Sequence, residues 1–390
     1  MKLTKLFTDF FESEKSAGIL LLICAALSIA FANSPLQENY LGFWKGNVAG
    51  HHLDHWVNDG LMAIFFLMIG LELEREIYIG ELSNFKQALL PVMAACGGML
   101  VPAGVHLLFN HGTAAQAGAG IPMATDIAFA LGMLSLLGRR VPPVLKVFLT
   151  ALAVIDDLGA ILVIAIFYSD SISFTYLGLS LGVFALLGIL NRVKVRNLVP
   201  YLVGGIAMWY FMLHSGVHAT IAGVLLAFVI PFGNGDEKST SFRLQHFLHK
   251  PVAFVILPIF ALANTAIPLD ASVMDNIFSS NTAGIFFGLF LGKPLGICLF
   301  TAGAVALGWC AKPVEMSWGH IIGLGFLGGI GFTMSIFITL LAFDSGEFIN
   351  TSKIAIIATS AISAVVGLVL LKLMLRQGQK AEEEVDITLT

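Results

Sequence analysis

Long apolar segments recur along the whole chain, separated by short polar stretches. Each is about as long as the roughly 20 residues that a helix needs to cross a bilayer. Hydrophobic residues make up 57% of the 390 residues and charged residues only 12%, far below the charged share of a soluble domain. The pattern predicts an all-α integral membrane protein with about twelve transmembrane spans, near residues 17–33, 57–78, 87–109, 117–138, 143–168, 174–191, 198–214, 216–232, 251–269, 282–307, 319–342 and 351–375.

Basic residues are divided unevenly between the two sets of alternate loops. Most of the 21 Lys and Arg fall on the side that also holds both termini, which predicts cytoplasmic termini. The net charge of −4 provides no basic field for nucleic acid, so membrane lipid is the expected surrounding partner. Residues 1–376 are predicted to form a single transmembrane domain, and residues 377–390, with their acidic run, a disordered cytoplasmic tail.

Two adjacent carboxylates, Asp156 and Asp157, lie in the middle of the fifth span. Placing one Asp at the centre of a membrane helix costs roughly 2.5–3.5 kcal/mol. A structural pair satisfied by neighbouring helices is one interpretation. We favour ion or proton handling, because two such costs in neighbouring positions are hard to explain by packing.

Two further spans contain sequences that interrupt a helix. Span 4 has Pro122 just before Thr125 and Asp126, and span 11 is glycine-rich at 323–331. Irregular backbone at membrane depth is tolerated only where it is buried in protein or lines a cavity. For span 11, close helix packing through small residues is the alternative interpretation.

A lysine, Lys293, falls inside span 10 with apolar residues on both sides. Interrupted helices leave positive N-termini and negative C-termini in the membrane. We expect Asp126 to neutralise the former and Lys293 the latter. Because neighbouring residues on a helix point about 100° apart, one of Asp156 and Asp157 can pair with Lys293 while the other faces a cavity. Such a site can hold protons or a small cation.

The sequence resembles the NhaA family of bacterial sodium/proton antiporters, itself a known example of inverted repeats with broken helices. The likeness runs from about residue 17 to residue 375 and is carried by four segments: Ala124–Gly132 (ATDIAFALG), Ala153–Ala160 (AVIDDLGA), Gly292–Gly296 (GKPLG) and Gly329–Phe337 (GIGFTMSIF). The resemblance implies inverted-topology repeats formed by spans 3–5 and 10–12, with the interrupted spans 4 and 11 crossing.

The resemblance also implies roles for individual residues. Asp157 would be the main carboxylate for Na⁺ and the proton, and Asp156 its essential neighbour, exchanging between Lys293 and the ion site. Thr125 and Asp126 would line the crossing, and Lys293 would oppose Asp126.

A pH-responsive cytoplasmic funnel is a further implied feature. Its residues here would be Glu72, Arg75, Glu76, His218, His246 and His249. Without the resemblance, the run 72–76 is as well explained as an ordinary charged helix end. Gln245 stands where the family has a glutamate, which leaves the pH threshold open. The loop 33–56 looks shorter than the family's outer hairpin, so the contact between protomers is expected to be reduced and a homodimer is an open question.

These implications describe a secondary active antiporter of the bacterial inner membrane and not an enzyme. It would export Na⁺, and also Li⁺, in exchange for protons, electrogenically and with activation at alkaline pH. No glycine-rich nucleotide loop occurs in the sequence, so no cofactor is expected. The alternatives are an intramembrane aspartyl protease using Asp126 and Asp157, which would not need Lys293, and a cation channel, which would use rings of charge from several subunits.

Overall fold

The structure is a computed structural model that describes residues 14–169 and 172–389. In this part of the chain, eight helices are long and apolar enough to cross a membrane, and two bent pairs of shorter helices each form one broken span. The predicted all-α membrane class is confirmed. The count of twelve is not, because the predicted spans at 198–214 and 216–232 are the shorter helices Val199–Leu213 and Ile221–Val229.

The helices follow one another with short connections. The first half of the chain contains α1 (Glu14–Ala32), α2 (Gln37–Trp44), α3 (Leu53–Tyr78), α4 (Phe85–Asn110), a 3₁₀ segment (Ala114–Met123), α5 (Ile127–Ser135), α6 (Pro143–Phe167) and α7 (Phe174–Arg192). The second half contains α8 (Val199–Leu213), α9 (Ile221–Val229), α10 (Thr240–Asn264), α11 (Ala271–Asp275), α12 (Ser280–Ala306), α13 (Trp318–Gly328), α14 (Phe332–Ala342) and α15 (Gly346–Leu389). The end of α15 covers the segment predicted to be disordered, and the assignment of a tail stays a prediction.

Three of the long helices contain a π-helical segment: Trp56–Leu61 in α3, Val252–Ile256 in α10 and Gly288–Gly292 in α12. Such widened turns leave backbone groups misaligned and occur often at functional sites. The segment in α12 ends immediately before Lys293.

A two-stranded hairpin lies between α2 and α3. Its strands, β1 (Asn47–Val48) and β2 (His51–His52), pair antiparallel with Asn47 opposite His52. Ala49 and Gly50 both have positive φ, as a tight hairpin turn requires. The loop 33–56, in which a reduced hairpin is predicted, therefore contains a hairpin with two residues in each strand.

The chain forms two compact units. Unit 1 consists of Met1–Ile19, Asn84–Asp156 and Asp270–Thr390, and unit 2 of Leu20–Ser83 and Asp157–Leu269. Unit 1 therefore collects spans 3, 4 and 10–12 and the first half of span 5, from the two sets that the resemblance implies as repeats. The prediction of one domain over 1–376 stays a prediction.

Unit 1 is built around close helix contacts and two broken spans. α4 and α12 approach so closely that a Cβ added at Gly97 would lie 2.1 Å from the Gly296 carbonyl oxygen. The 3₁₀ segment and α5 meet at 42°, and α13 and α14 meet at 48°. The two breaks are joined by a hydrogen bond of 2.7 Å from the Asp126 amide to the Ile330 carbonyl. The predicted interruption and crossing of spans 4 and 11 are confirmed.

Unit 2 contains its own tight helix pair, α3 and α9. A Cβ at Gly223 of α9 would lie 2.2 Å from the Ala63 carbonyl oxygen, and one at Gly70 would lie 2.6 Å from the Ala227 Cβ. Ala63 is thus level with Gly223, and Gly70 with Ala227. The two helices therefore run side by side in the same direction. Positions along α3 can thus be compared directly with positions along α9.

Candidate functional site

A fully buried ion pair lies in unit 1. The ammonium of Lys293 in α12 is 2.6 Å from Oδ2 of Asp156 in α6, and both side chains have no solvent exposure. Removing two charges from water costs several kcal/mol each, so this pair depends on good geometry and on further hydrogen bonds. The second carboxylate oxygen, Asp156 Oδ1, is buried and has no hydrogen-bond partner among the described residues.

Thr125 connects this pair to the broken span 11. Its hydroxyl is 2.8 Å from Asp156 Oδ2 and also 2.8 Å from the carbonyl oxygen of Gly328, the last residue of α13. A threonine hydroxyl has one proton, so it can donate to only one of these acceptors at a time. Which acceptor receives the proton depends on whether Asp156 is ionised.

Lys293 also serves the end of a half-helix. Its ammonium donates to the carbonyl of Met123, the last residue of the 3₁₀ segment that forms the first half of span 4. Helix C-termini are left with carbonyls that have no partner within the helix, and a cation there is favourable. The structure therefore places Lys293 between a buried carboxylate and a half-helix C-terminus.

Asp126 caps two half-helices at once. Its Oδ1 accepts from the Phe129 amide at 3.0 Å, as the N-cap of α5. Its Oδ2 accepts from the Thr333 amide at 3.1 Å and from the Thr333 hydroxyl, at the start of α14. One buried carboxylate therefore meets the positive ends of both broken spans. Lys293 contacts Asp156 and Met123, and no bond joins it to Asp126 among those the structure describes.

The sequence-based selection missed Thr333 and Ser335. Ser335 donates to the Ile121 carbonyl at 2.7 Å, so α14 is tied to the first half of span 4 as well as to Asp126. Both residues stand in the segment Gly329–Phe337 that carries the resemblance. The available signal was a hydroxyl in the first turn of a half-helix that follows a break, where backbone amides need acceptors.

Asp157, the neighbour of Asp156 in α6, is fully buried as well. It is the first residue of the second segment of unit 2. Successive helix residues point about 100° apart, so Asp157 does not share the direction in which Asp156 meets Lys293. The two adjacent carboxylates therefore leave α6 in different directions.

Several predicted funnel residues come together in unit 2. The guanidinium of Arg75 lies over the Phe242 ring, 5.1 Å from its centroid, and the His246 ring stacks on the same phenylalanine at 6.2 Å. Glu76 Oε2 accepts from the Glu81 amide at 2.9 Å, closing the end of α3. Glu72 lies one turn before Glu76 on α3, and His249 one turn after His246 on α10.

His218 lies apart from this group within unit 2, and its regulatory role stays a prediction. It lies five residues before Gly223, which is level with Ala63 of α3, whereas residues 72–76 lie beyond Gly70. At 1.5 Å per helical residue the separation along the helices is on the order of 20 Å. His218 Nε2 instead lies 2.7 Å from the Tyr168 carbonyl, after the end of α6.

A buried acid that the sequence-based selection also missed is Glu74. It is 4% exposed, and its Oε2 has no hydrogen-bond partner among the described residues. A single carboxylate inside a charged run carries no sequence signal of burial, because the helix face it occupies depends on which side of α3 packs.

The chemistry open to the unit 1 site is that of oxygen ligands. In the described part of the chain, no group of three or more His, Cys, Asp or Glu is placed to hold a metal ion tightly. Hard cations such as Na⁺ prefer carboxylate, carbonyl and hydroxyl oxygens. Asp156 Oδ1 can accept a proton or a small cation, and Thr125 and Lys293 stabilise the charge that remains.

The chain is similar to known proteins over nearly its whole length. The sequence pattern of the family described as Na⁺/H⁺ antiporter 1 matches residues 8–371. The "Na(+)/H(+) antiporter NhaA" of Flavobacterium psychrophilum is 61% identical over 376 residues, covering 96% of this chain and 98% of that protein. The protein of the same name from Cytophaga hutchinsonii is 62% identical over 377 residues and 97% of each chain. With nearly the whole chain matched at this identity, and with two broken spans around buried carboxylates, the chain belongs to the Na⁺/H⁺ antiporter 1 family.

Proposed function

We propose that this protein is a secondary active antiporter that exports Na⁺, and also Li⁺, in exchange for protons, with Asp156 and Asp157 as the carriers. The observation that supports it most is Asp156 itself. The residue is fully buried and paired with Lys293, and its Oδ1 has no hydrogen-bond partner among the described residues. A group of this kind inside a membrane span is expected to handle ions.

Exchange follows from competition at one carboxylate. A proton on Asp156 removes the negative charge that attracts Lys293. A Na⁺ ion bound to the same carboxylate balances that negative charge with its own positive charge. The two cannot occupy Asp156 together without an excess positive charge beside the ammonium. Binding of Na⁺ therefore requires release of the proton, and return of the proton displaces Na⁺.

The Thr125 hydroxyl carries this change to the broken span. When Asp156 is ionised, Thr125 donates to its Oδ2, and the Gly328 carbonyl loses that donor. When Oδ2 is neutralised, the hydroxyl can turn to Gly328 and satisfy the end of α13. Occupancy of the carboxylate thus changes the hydrogen bonding at a half-helix terminus.

Electrogenic transport follows if both adjacent aspartates release a proton for each Na⁺ bound. One net charge then crosses the membrane per cycle, which couples transport to the membrane potential at about 2.3 kcal/mol per charge per 100 mV. Potassium-loaded proteoliposomes with valinomycin set this potential. The exchange rate should rise when the potential favours net inward positive charge, and a rate independent of potential would contradict electrogenic exchange.

The function is tested by uptake of radiolabelled Na⁺ into proteoliposomes with an imposed pH gradient. Wild-type protein should accumulate Na⁺ at the expense of the gradient. Asp157→Asn keeps size and hydrogen bonding but removes the titratable charge, so exchange should vanish while the protein still inserts. Asp344→Asn, at an exposed position, is the matched control. A protease would show no uptake, and a channel would pass Na⁺ without consuming the pH gradient.

Activation at alkaline pH is proposed to involve Glu72, Arg75, Glu76, His218, His246 and His249. Support comes from the Arg75–Phe242–His246 stack, which places a permanent cation near a histidine. Gln245 precedes His246, and Gln245→Glu would add a negative charge that favours the protonated state of its neighbours. The pH of half-maximal exchange at saturating Na⁺ should move upward. Superimposable profiles for wild type and Gln245→Glu would exclude a regulatory role for this position.

The proposed setting is the bacterial inner membrane, with both termini in the cytoplasm and no cofactor. The excess of basic residues on the side of the termini supports this orientation. Reporters fused at residue 390 that are active only in the cytoplasm or only outside it distinguish the two orientations. Whether two copies associate is tested by mass measurement in detergent.

A further inference from the structure

A buried histidine that the proposed mechanism does not use lies in unit 1. His106, near the end of α4, has no solvent exposure. Its Nε2 is 3.3 Å from Asn281 Oδ1 at the start of α12, and the Asn281 amide donates to the Ser352 hydroxyl of α15 at 2.8 Å. Asn281 and Ser352 are buried as well. The three side chains form a polar row across three helices.

The neighbours of the imidazole also indicate which of its ring nitrogens carries the proton. Nε2 faces Asn281 Oδ1 at 3.3 Å and Asn110 Nδ2 at 3.4 Å. Because Asn110 directs its two amide protons at backbone carbonyls, a neutral ring with its proton on Nε2 donates to Asn281. The Asn110 amide donates to the His106 carbonyl at 3.0 Å and to the Ser280 carbonyl at 3.1 Å. Asn110 therefore fastens the backbone of α4 to the first residue of α12, beside the imidazole bond.

Two glycines hold the ring closely. A Cβ at Gly118 of the 3₁₀ segment would lie 3.2 Å from His106 Cε1, and a Cβ at Gly284 of α12 would lie 2.9 Å from His106 Cδ2. The imidazole therefore fills the space between the first half of span 4 and the start of span 10. Because the ring is packed on both edges, a shift of the ring would displace both segments.

Each segment around His106 continues to a part of the ion site. The 3₁₀ segment ends at Met123, whose carbonyl receives the Lys293 ammonium. α12 runs from Asn281 through its π-helical segment to Lys293. On α15, Ser360 accepts from the Phe332 amide at 3.2 Å, at the break of span 11. None of the three contacts involves His106 directly.

We propose that His106 is a positioning residue for the ion site, which sets the spacing of Lys293 and the Met123 carbonyl through its Nε2 bond to Asn281. The inference rests on the proposed function, because its consequence is a change in how cations bind. Without the bond, α12 and the 3₁₀ segment are no longer held against the same side chain. The distance between Lys293 and the Met123 carbonyl then varies more, and so does the position of the ammonium that competes with Na⁺.

The test compares variants that imitate different ring atoms. His106→Gln places an amide nitrogen where Nε2 stands and keeps the donor to Asn281. His106→Asn reaches only as far as Nδ1, and His106→Phe keeps the ring but has no donor. His111→Phe, at an exposed position one residue after α4, is the control. The readouts are the KM for Na⁺, the KM for Li⁺, and the maximal exchange rate per folded molecule.

We expect His106→Phe and His106→Asn to raise the KM for Na⁺ by about tenfold, the size of a lost buried hydrogen bond, and to alter the ratio of the KM values for Li⁺ and Na⁺. His106→Gln should restore most of both values. A purely structural role would lower the amount of folded protein and leave the KM values and their ratio unchanged.

An unchanged KM and an unchanged Li⁺ to Na⁺ ratio in His106→Phe would overturn the inference, as would a His106→Gln variant as impaired as His106→Phe. If His106→Phe does not accumulate, Ser352→Ala removes the far end of the row with little change in volume, and an unaltered KM there would also overturn it. Failure of the wild-type protein to exchange Na⁺ for protons would overturn the proposed function as well. Wild-type exchange therefore separates the two failures.

Discussion

The two broken spans of unit 1 meet the same requirement with different chemistry. The break of span 4, at residues 124–126, supplies the polar side chains Thr125 and Asp126. The break of span 11, at residues 329–331, consists of Gly-Ile-Gly and supplies only backbone. Asp126 serves the N-termini of both second halves, and Thr125 reaches the C-terminus of α13. Between the two breaks themselves, only that of span 4 supplies polar side chains, while Thr333 and Ser335 add hydrogen bonds from inside α14. The break of span 11 is therefore free to pack closely.

Glycine allows that close approach. A Cβ at Gly329 would lie 2.5 Å from the backbone oxygen of Leu289, in the π-helical segment of α12. Any larger residue would push the break of span 11 away from α12 and from Asp126. Two crossing broken helices can therefore share one set of side chains that satisfies the backbone groups at both breaks.

The largest expected effect is the loss of the cation that serves span 4. Lys293→Ala leaves the Asp156 carboxylate and the Met123 carbonyl without their donor, so the free energy of unfolding should fall by about 3–5 kcal/mol. Exchange should also be impaired. Melting in detergent measures the first effect, and unchanged melting would show that Asp156 and Met123 do not need the ammonium.

The double variant sharpens this prediction. Lys293→Ala with Asp156→Asn removes the uncompensated charge together with its partner, so it should be less destabilised than the sum of the two single variants. Additive effects would mean that the two residues are not coupled in the folded protein.

An intermediate effect is expected at the glycine-only break. Gly329→Ala should destabilise the protein by about 1–3 kcal/mol, because the added methyl group meets the rigid backbone of α12. Gly303→Ala, in the same helix α12 at a position with open space around it, is the control and should be neutral or slightly stabilising. Equal melting temperatures for the two variants would show that span 11 does not depend on close approach.

The smallest effects compare two threonines. Thr125→Val removes the donor shared by Asp156 and Gly328 and should cost about 1 kcal/mol, while Thr125→Ser should recover most of it. Thr333→Val should cost less, because the Thr333 backbone amide still donates to Asp126. Thermal unfolding of the three variants ranks them. A larger loss for Thr333→Val would contradict the assignment of the polar role to span 4.

Much of this site could be predicted because charge inside an apolar segment is rare and expensive. Asp126, Asp156 and Lys293 stand out in the sequence for that reason, and Pro122 and the glycines of span 11 indicate the breaks. The partners could not be predicted in the same way. Backbone carbonyls such as Met123 and Gly328 have no side-chain signal, and Thr333 resembles the many threonines of membrane helices.

The regulatory residues show the opposite case. Their grouping came from the resemblance, and the structure keeps Arg75 and His246 together through Phe242 but places His218 elsewhere in unit 2. Charged residues near helix ends can be solvated almost anywhere, so their spacing in sequence carries little information on which of them meet.

The sequence by itself determined the membrane-spanning helical class, the two interrupted spans and the buried charged residues, because hydrocarbon excludes unpaired polar groups. Tertiary structure alone decided which backbone carbonyls Lys293 and Thr125 meet and which side chain His106 binds. Those outcomes depend on which helix faces pack together and on distances of a few ångströms, and no local pattern in the chain specifies either.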